Sequence, residues 1–133
     1  MRACWLALLA ILAAMPALAD CPMDLGRGTG IVVFSEHFII ALRPEPLRIA
    51  VGEPFALILN VCTKGNEPAE LVSIDAQLDE KNVIDSVPKI VAGQDGRYRA
   101  EGIVLTAPGS WEVGFNVKSG KDEERLTHDL VVN

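Results

Sequence analysis

Apolar and polar residues alternate along most of this chain, and the alternation is clearest in its last third. A period of two is typical of half-buried β-strands, because successive side chains of a strand point to opposite faces of the sheet. Within residues 110–118, the side chains that this pattern predicts to point inward are Trp111, Val113, Phe115 and Val117. We therefore expect a strand here, with the bulky Trp111 filling the core.

The same pattern recurs along the chain, interrupted by Gly, Pro and Asn residues that favour turns. The runs 30–35 and 37–43 are predicted to be two strands or one bent strand. The other runs predicted to be extended are 47–51, 55–62, 71–79, 88–91, 97–105, 110–118 and 124–132. We expect a strand break at Pro44, because proline cannot donate to a ladder. In the fifth run, Val72, Ile74, Ala76 and Leu78 are expected to share one face. Short strands at close spacing predict an all-β fold, an antiparallel immunoglobulin-like sandwich of seven to eight strands.

The first residues have the features of a signal peptide: a positive Arg2, a short apolar run, and small residues at Ala17 and Ala19. We expect cleavage after Ala19, so that residues 1–19 are removed; a buried helix, a retained anchor or a lipidated Cys21 are alternatives. Residues 20–46 then form an N-terminal extension with the first strands, and 47–133 form the sandwich core of a single domain. Localisation is expected in the periplasm or outside the cell, with no membrane anchor after cleavage.

Charge and cysteine content support an exported protein that does not bind nucleic acid. The net charge is −6, and it becomes −7 when Arg2 leaves with the signal peptide. An acidic chain lacks the basic surface that phosphate backbones require. Cys21 and Cys62 would remain, and two cysteines in an oxidising compartment usually form a disulfide. The alternative is that the two thiolates bind a metal.

Residues that could carry chemistry are few, and no catalytic motif is present, so we expect no enzyme activity. Met23, His37 and His128 are weak candidates for a copper site, because thioether and imidazole are ligands that copper accepts. His128 shares its strand face with apolar residues, which favours a histidine at the edge of the core.

An oxygen-rich loop follows the run 71–79, and its polar residues are candidate contacts for a partner: Asp79, Glu80, Asn82 and Asp85. A cation site there is the alternative, although the spacing does not match an EF-hand. Tyr98 is expected to pack as an aromatic with its hydroxyl at the rim. Gly109 is expected to permit the tight turn before Trp111.

Several motifs resemble the YtkA-like family of small exported β-sandwich domains, which is related in outline to the FixH group. The resembling segments are Gly-Glu-Pro-Phe-Ala-Leu at 52–57, Asp-Gly-Arg-Tyr-Arg-Ala-Glu-Gly at 95–102, Pro-Gly-Ser-Trp-Glu-Val at 108–113 and Arg-Leu-Thr-His-Asp at 125–129. The resemblance covers roughly 47–132 and implies a sandwich fold in the envelope. Several members of that family are associated with copper handling. Their methionines and histidines for this role come just before the proline that corresponds to Pro88.

This chain carries other residues at those family positions: Gln77, Glu80, Asn82 and Ile84. Carboxylate and amide groups do not select copper. We therefore expect no cofactor and interpret the chain as an exported accessory domain that engages a protein partner in the cell envelope. The alternative is a copper-binding or copper-delivery protein that uses a different Met/His set.

Overall fold

The computed structural model describes residues 21, 22, 25, 30–84 and 87–133. The predicted signal peptide, Met23 and Asp85 lie outside the described residues. The described part contains eight strands: β1 (Ile31–Phe34), β2 (Phe38–Glu45), β3 (Phe55–Thr63), β4 (Glu70–Gln77), β5 (Lys89–Ala92), β6 (Arg97–Ile103), β7 (Gly109–Ser119) and β8 (Asp122–Val132).

The strands form two antiparallel sheets packed face to face. The five-stranded sheet has the order β1-β2-β3-β6-β5, and the three-stranded sheet has the order β4-β7-β8. Apolar side chains from the inner faces of both sheets form one core, with Trp111 fully buried in it. This confirms the predicted all-β sandwich and the inward face of residues 110–118.

Cys21 and Pro22, at the start of the described chain, lie on the outer side of the five-stranded sheet. A disulfide joins Cys21 to Cys62 of β3, with 5.8 Å between the Cα atoms. Asn60 and Ala41, which are fully buried, lie on the same outward side of the sheet as Cys62. The disulfide therefore attaches Cys21 to β3 on the outer side of the sheet.

Three local predictions were wrong. Strand β2 continues through Pro44, which is tolerated because β1 begins opposite Leu42 and so lies short of the proline. Residues 47–51 are not a strand, although Val51 and Ile49 each bond weakly to the terminal Asn133.

The third wrong prediction concerns Val72, which is 42% exposed and does not share the inner face. A β-bulge lies between Leu71 and Ser73, where two residues of β4 oppose one of β7. The extra residue shifts the alternation, so that Leu71, Ile74 and Ala76 are buried instead.

Candidate functional site

The loop that joins β4 to β5 is the candidate partner-contact site, and its described residues are held in shape by their own hydrogen bonds. One carboxylate oxygen of Asp79 accepts from the backbone N–H of Lys81 at 2.9 Å and from that of Asn82 at 2.8 Å. The side-chain amide of Asn82 donates to both oxygens of Asp79 at 3.1 Å. These bonds lower the pKa of Asp79, the backbone N–H of Asn82 contributing most.

Two backbone hydrogen bonds close this turn onto the end of β4. Leu78 donates to the carbonyl of Asn82 at 2.8 Å, and Ile84 donates to that of Ala76 at 3.2 Å. Ile84 also packs against the core. The structure therefore places three of the four predicted contact residues, Asp79, Glu80 and Asn82, on one closed turn.

Exposed apolar side chains accompany these polar groups. Val83 is 45% exposed and Val87 is 90% exposed, while the charged Glu80 and Lys81 are also on the surface. Apolar side chains that are exposed next to one another are a feature of surfaces that bind proteins, whereas singly exposed ones are common on any protein. The described part of the loop thus presents charged and apolar side chains, and hydrogen bonds hold its backbone from Leu78 to Asn82.

A second polar cluster lies at the opposite end of the sandwich, where the β1–β2 turn meets the start of β8. The carboxylate of Glu124 accepts hydrogen bonds from the hydroxyl of Ser35 and, at 3.3 Å, from the backbone N–H of His37. Its other oxygen lies 2.5 Å from Nδ1 of His37. One carboxylate therefore links a turn of the five-stranded sheet to a strand of the three-stranded sheet.

This cluster is not arranged for nucleophilic catalysis, although it contains a serine, a histidine and a carboxylate. A nucleophilic serine needs a hydrogen bond to the imidazole that accepts its proton. Here the hydroxyl of Ser35 is directed at Glu124, as is the imidazole of His37. The geometry is that of a structural contact between sheets.

Protonation affects this contact in both directions. The bond to Glu124 raises the pKa of His37 above its ordinary 6.5, and Asp122 and Glu36 add to this effect. The bonds from Ser35 and His37 lower the pKa of Glu124 below its ordinary 4.5. Because the pKa of His37 is raised on folding, this residue stabilises the fold fully below about pH 6.5, and the stabilisation is lost as the pH rises. Because the pKa of Glu124 is lowered on folding, this residue stabilises the fold above about pH 4.5, and the stabilisation is lost as the pH falls.

The two histidines predicted as weak copper ligands do not come together. His37 contacts Glu124, whereas His128 is half-buried four residues farther along β8, which is about 13 Å at ~3.3 Å per residue. His128 lies on the inner face with Leu126 and Leu130, as its sequence position indicates. In the described part of the chain, no cluster of three or more His, Cys, Asp or Glu side chains is placed to hold a metal ion.

The disulfide lies in a closely packed site. The fully buried amide of Asn60 donates to the carbonyl of Pro22, and its oxygen accepts from Nε of Arg97 at 2.5 Å. Gly96 adopts a φ of 81°, and a Cβ atom there would lie 2.8 Å from Sγ of Cys21. A glycine therefore makes room for the sulfur.

The three residues with predicted structural roles are placed as follows. Trp111 is fully buried and donates from its indole N–H to the carbonyl of Ala107 at 2.9 Å. Tyr98 packs partly against the core, and its hydroxyl donates to the carbonyl of Ala69 at 3.4 Å. Gly109 has a φ of 135°, which favours glycine at this turn.

Sequence reasoning missed Glu124 and Ser35, because the partners in this cluster are 87 positions apart or more in the chain. Ser35 and His37 flank a turn, which is a local signal, but the sequence holds no sign of which carboxylate they meet. Sequence reasoning also missed Asn60, whose only signal is an amide within an otherwise apolar central strand.

No helix within the described residues is both long enough and apolar enough to cross a bilayer. No family model matches the chain, and neither a curated protein nor a solved structure matches it. The resemblance to the YtkA-like family stays a prediction from the quoted motifs.

Proposed function

We propose that this protein is an exported, non-catalytic binding domain that engages a protein partner in the cell envelope through the loop 79–87. The observation that carries the proposal is the combination of a self-bonded turn at Asp79 with the exposed Val83 and Val87. The signal-like N-terminus and the Cys21–Cys62 disulfide support an oxidising compartment.

A fixed loop is well suited to binding because little conformational entropy is lost when it meets a partner. The hydrogen bonds of Asp79 hold the backbone from Asp79 to Asn82. Val83 and Val87 supply apolar area that becomes buried on contact, and Glu80 and Lys81 supply charge at its rim. This division into an apolar centre and a polar rim is common at protein interfaces.

The test is capture of an envelope partner by the purified protein with Val83→Ser and Val87→Ser combined. We expect the double variant to lose the partner that the wild type retains, while its thermal unfolding midpoint stays unchanged. The matched control is Val72→Ser with Val131→Ser, which removes two exposed valines elsewhere and should retain capture. Equal capture by both double variants would show that the loop is not the contact.

Copper binding by Met23, His37 and His128 is the alternative function. The positions of the two histidines do not favour it, because His37 contacts Glu124 of β8 and His128 lies four residues farther along that strand. Titration of the purified protein with Cu(I) and Cu(II) tests it directly, and a dissociation constant tighter than about 1 μM that is lost in His37→Gln would replace the binding-domain proposal.

A further inference from the structure

The strand order gives each sheet two edge strands: β1 and β5 in one sheet, and β4 and β8 in the other. An edge strand presents unpaired backbone N–H and C=O groups to which another strand can bond. Proteins protect such edges with charged side chains, prolines, bulges or a covering loop. The four edges of this sandwich are not protected equally.

Three of the four edges carry such protection. β4 is interrupted by its bulge, and the loop that follows it bonds to its end, because Ile84 donates to the carbonyl of Ala76 at 3.2 Å. β5 begins with the exposed Lys89 and follows Pro88. β8 exposes three charged side chains: Glu123, Arg125 and Asp129.

Strand β1 has none of these features. Its four residues, Ile-Val-Val-Phe, carry no charge and no proline, and its ladder to β2 has no bulge. Ile31 and Val33 pack against the core, whereas Val32 is 53% exposed and Phe34 is 69% exposed. The sequence therefore leaves this one edge apolar and unprotected.

The backbone groups of β1 that point away from β2 belong to the same two exposed residues. Ser35 donates to the carbonyl of Phe38 at 2.9 Å, so these two form a hydrogen-bonded pair of the ladder. Hydrogen-bonded and non-hydrogen-bonded pairs alternate in an antiparallel ladder. The N–H and C=O groups of Val32 and Phe34 therefore point outward. Within the described residues, no backbone group bonds to them.

We propose that β1 pairs with β1 of a second copy of this chain, antiparallel and about a two-fold axis. With Val33 on the axis, Val32 of each copy lies opposite Phe34 of the other. Each of these pairs exchanges two N–H···O=C bonds, which uses all the outward groups of both residues. On the exposed face a valine then packs beside a phenylalanine, a favourable cross-strand pair. The two five-stranded sheets become one continuous sheet.

The edge is complementary to itself, and this favours a second copy over another partner. In a two-fold contact the same surface meets itself, and β1 fits this condition because Val32 and Phe34 lie on either side of Val33. At a net charge of −6, two copies repel through their acidic surfaces. The residues of β1 are uncharged, and the charged group over the ring of Phe34 is a cation, Lys64, at 5.6 Å. Pairing through β1 therefore joins uncharged surfaces of an acidic protein.

The size of the contact predicts a weak dimer. Stable complexes bury about 800 Å² on each partner. Here pairing is limited to the short β1, because the turn after Phe34 is tied to β8 by the contacts of Ser35 and His37 with Glu124. We therefore expect a concentration-dependent equilibrium with a dissociation constant between about 10 μM and 1 mM.

This inference goes beyond the proposed function, because β1 is a different surface from the loop 79–87 and needs no envelope partner. The test is sedimentation of the purified protein without residues 1–19, with its disulfide intact, from about 5 μM to 1 mM. We expect dimer formation that strengthens between about 0.05 and 0.5 M salt, because screening lowers the repulsion between acidic copies. The loop variant Val83→Ser/Val87→Ser should form the dimer as the wild type does, which separates this inference from the proposed function.

A charge placed on the edge gives the test its direction. Val32→Lys should raise the dissociation constant about tenfold or more, because a charged side chain on an edge strand opposes pairing. The matched control is Val131→Lys, which puts the same charge on an exposed valine of the edge strand β8. This control should leave the dissociation constant within about twofold, as expected for a surface charge outside the contact.

Cross-linking tests the register. The variants Val32→Cys and Phe34→Cys are mixed under mild oxidation, with the Cys21–Cys62 disulfide left intact. In the proposed register these two positions are directly opposite, at about 5 Å between Cβ atoms, whereas like positions are diagonal neighbours at about 7 Å or more. We therefore expect cross-links between the two variants in preference to cross-links within either one.

Three results would overturn the inference. The first is a protein that stays monomeric at about 1 mM, which would leave the edge to a different partner strand. The second is a dimer that Val32→Lys and Val131→Lys weaken equally or not at all. The third is preferential cross-linking of either cysteine variant with itself, which would exclude the register about Val33.

Discussion

Replacement of Trp111 by alanine tests the packing of the sandwich most directly. The side chain is 0% exposed and lies in the core between the two sheets. Truncation of a buried tryptophan lowers the free energy of unfolding by about 3–5 kcal/mol, because the transfer of apolar surface is lost and a cavity remains. The carbonyl of Ala107 also loses the indole N–H that now bonds to it at 2.9 Å.

For a domain of this size, 1 kcal/mol changes the unfolding temperature by roughly 4–8 °C. Trp111→Ala should therefore lower the midpoint by roughly 12–40 °C, on the same conversion. Trp111→Phe should cost less than Trp111→Ala, because most of the cavity stays filled and only the indole bond is fully lost. Circular dichroism is the suitable probe, because the substitution removes the tryptophan fluorescence of residues 20–133.

The control is Val131→Ala, which truncates a side chain that is 63% exposed and should change stability by less than about 0.5 kcal/mol. A loss below about 1 kcal/mol in Trp111→Ala would contradict the packing described here, since surface truncations are of that size. Such a result would also remove the basis for the inner faces of β7 and β8.

Three further predictions concern the ends of the sandwich. Cys21→Ser combined with Cys62→Ser should lower the free energy of unfolding by about 4 kcal/mol in urea denaturation, since the bond closes a loop with a sequence separation of 41; an equal stability of the oxidised and reduced protein would contradict this. Gly96→Ala should cost about 1–3 kcal/mol, because its φ is 81° and the new Cβ would lie 2.5 Å from the carbonyl oxygen of Val61. The free energy of unfolding should differ most between wild type and His37→Gln from about pH 4.5 to 6.5, as measured by urea denaturation. The difference should shrink above that window, as the pH rises through the raised pKa of His37. A difference that does not vary with pH would show that the imidazole charge has no role.

Much of the sandwich could be predicted from local patterns. The predicted extended runs located all eight strands to within two residues at each end, with one extra run at 47–51, and the turn residues Asp95 and Gly96 marked the β5–β6 hairpin. The candidate site was predicted only in part. Asp79, Glu80 and Asn82 could be named because they are neighbours in the sequence, but no local pattern indicated that the carboxylate of Asp79 accepts the hydrogen bonds that hold the turn.

The errors arose where a residue's environment depends on a distant strand. Proline has no backbone N–H, so Pro44 would interrupt the strand only if a neighbouring strand had to accept a hydrogen bond from it. On the β1 side no strand lies opposite Pro44, because β1 begins opposite Leu42. Val72 points outward because a bulge against β7 changes the register, which no pattern within β4 records. Each outcome depends on a partner far away in the chain.

The amino-acid sequence by itself determined that this chain forms short strands with one apolar face, because side-chain alternation and turn residues act over a few positions. Only the tertiary structure decided which strands are neighbours, and with them the groups that meet across the sheets. The contact of His37 with Glu124 and the place of β1 at the edge of its sheet depend on a strand order that joins residues far apart in the chain. Such contacts depend on the closing of long loops around a common core, and local sequence does not specify that step.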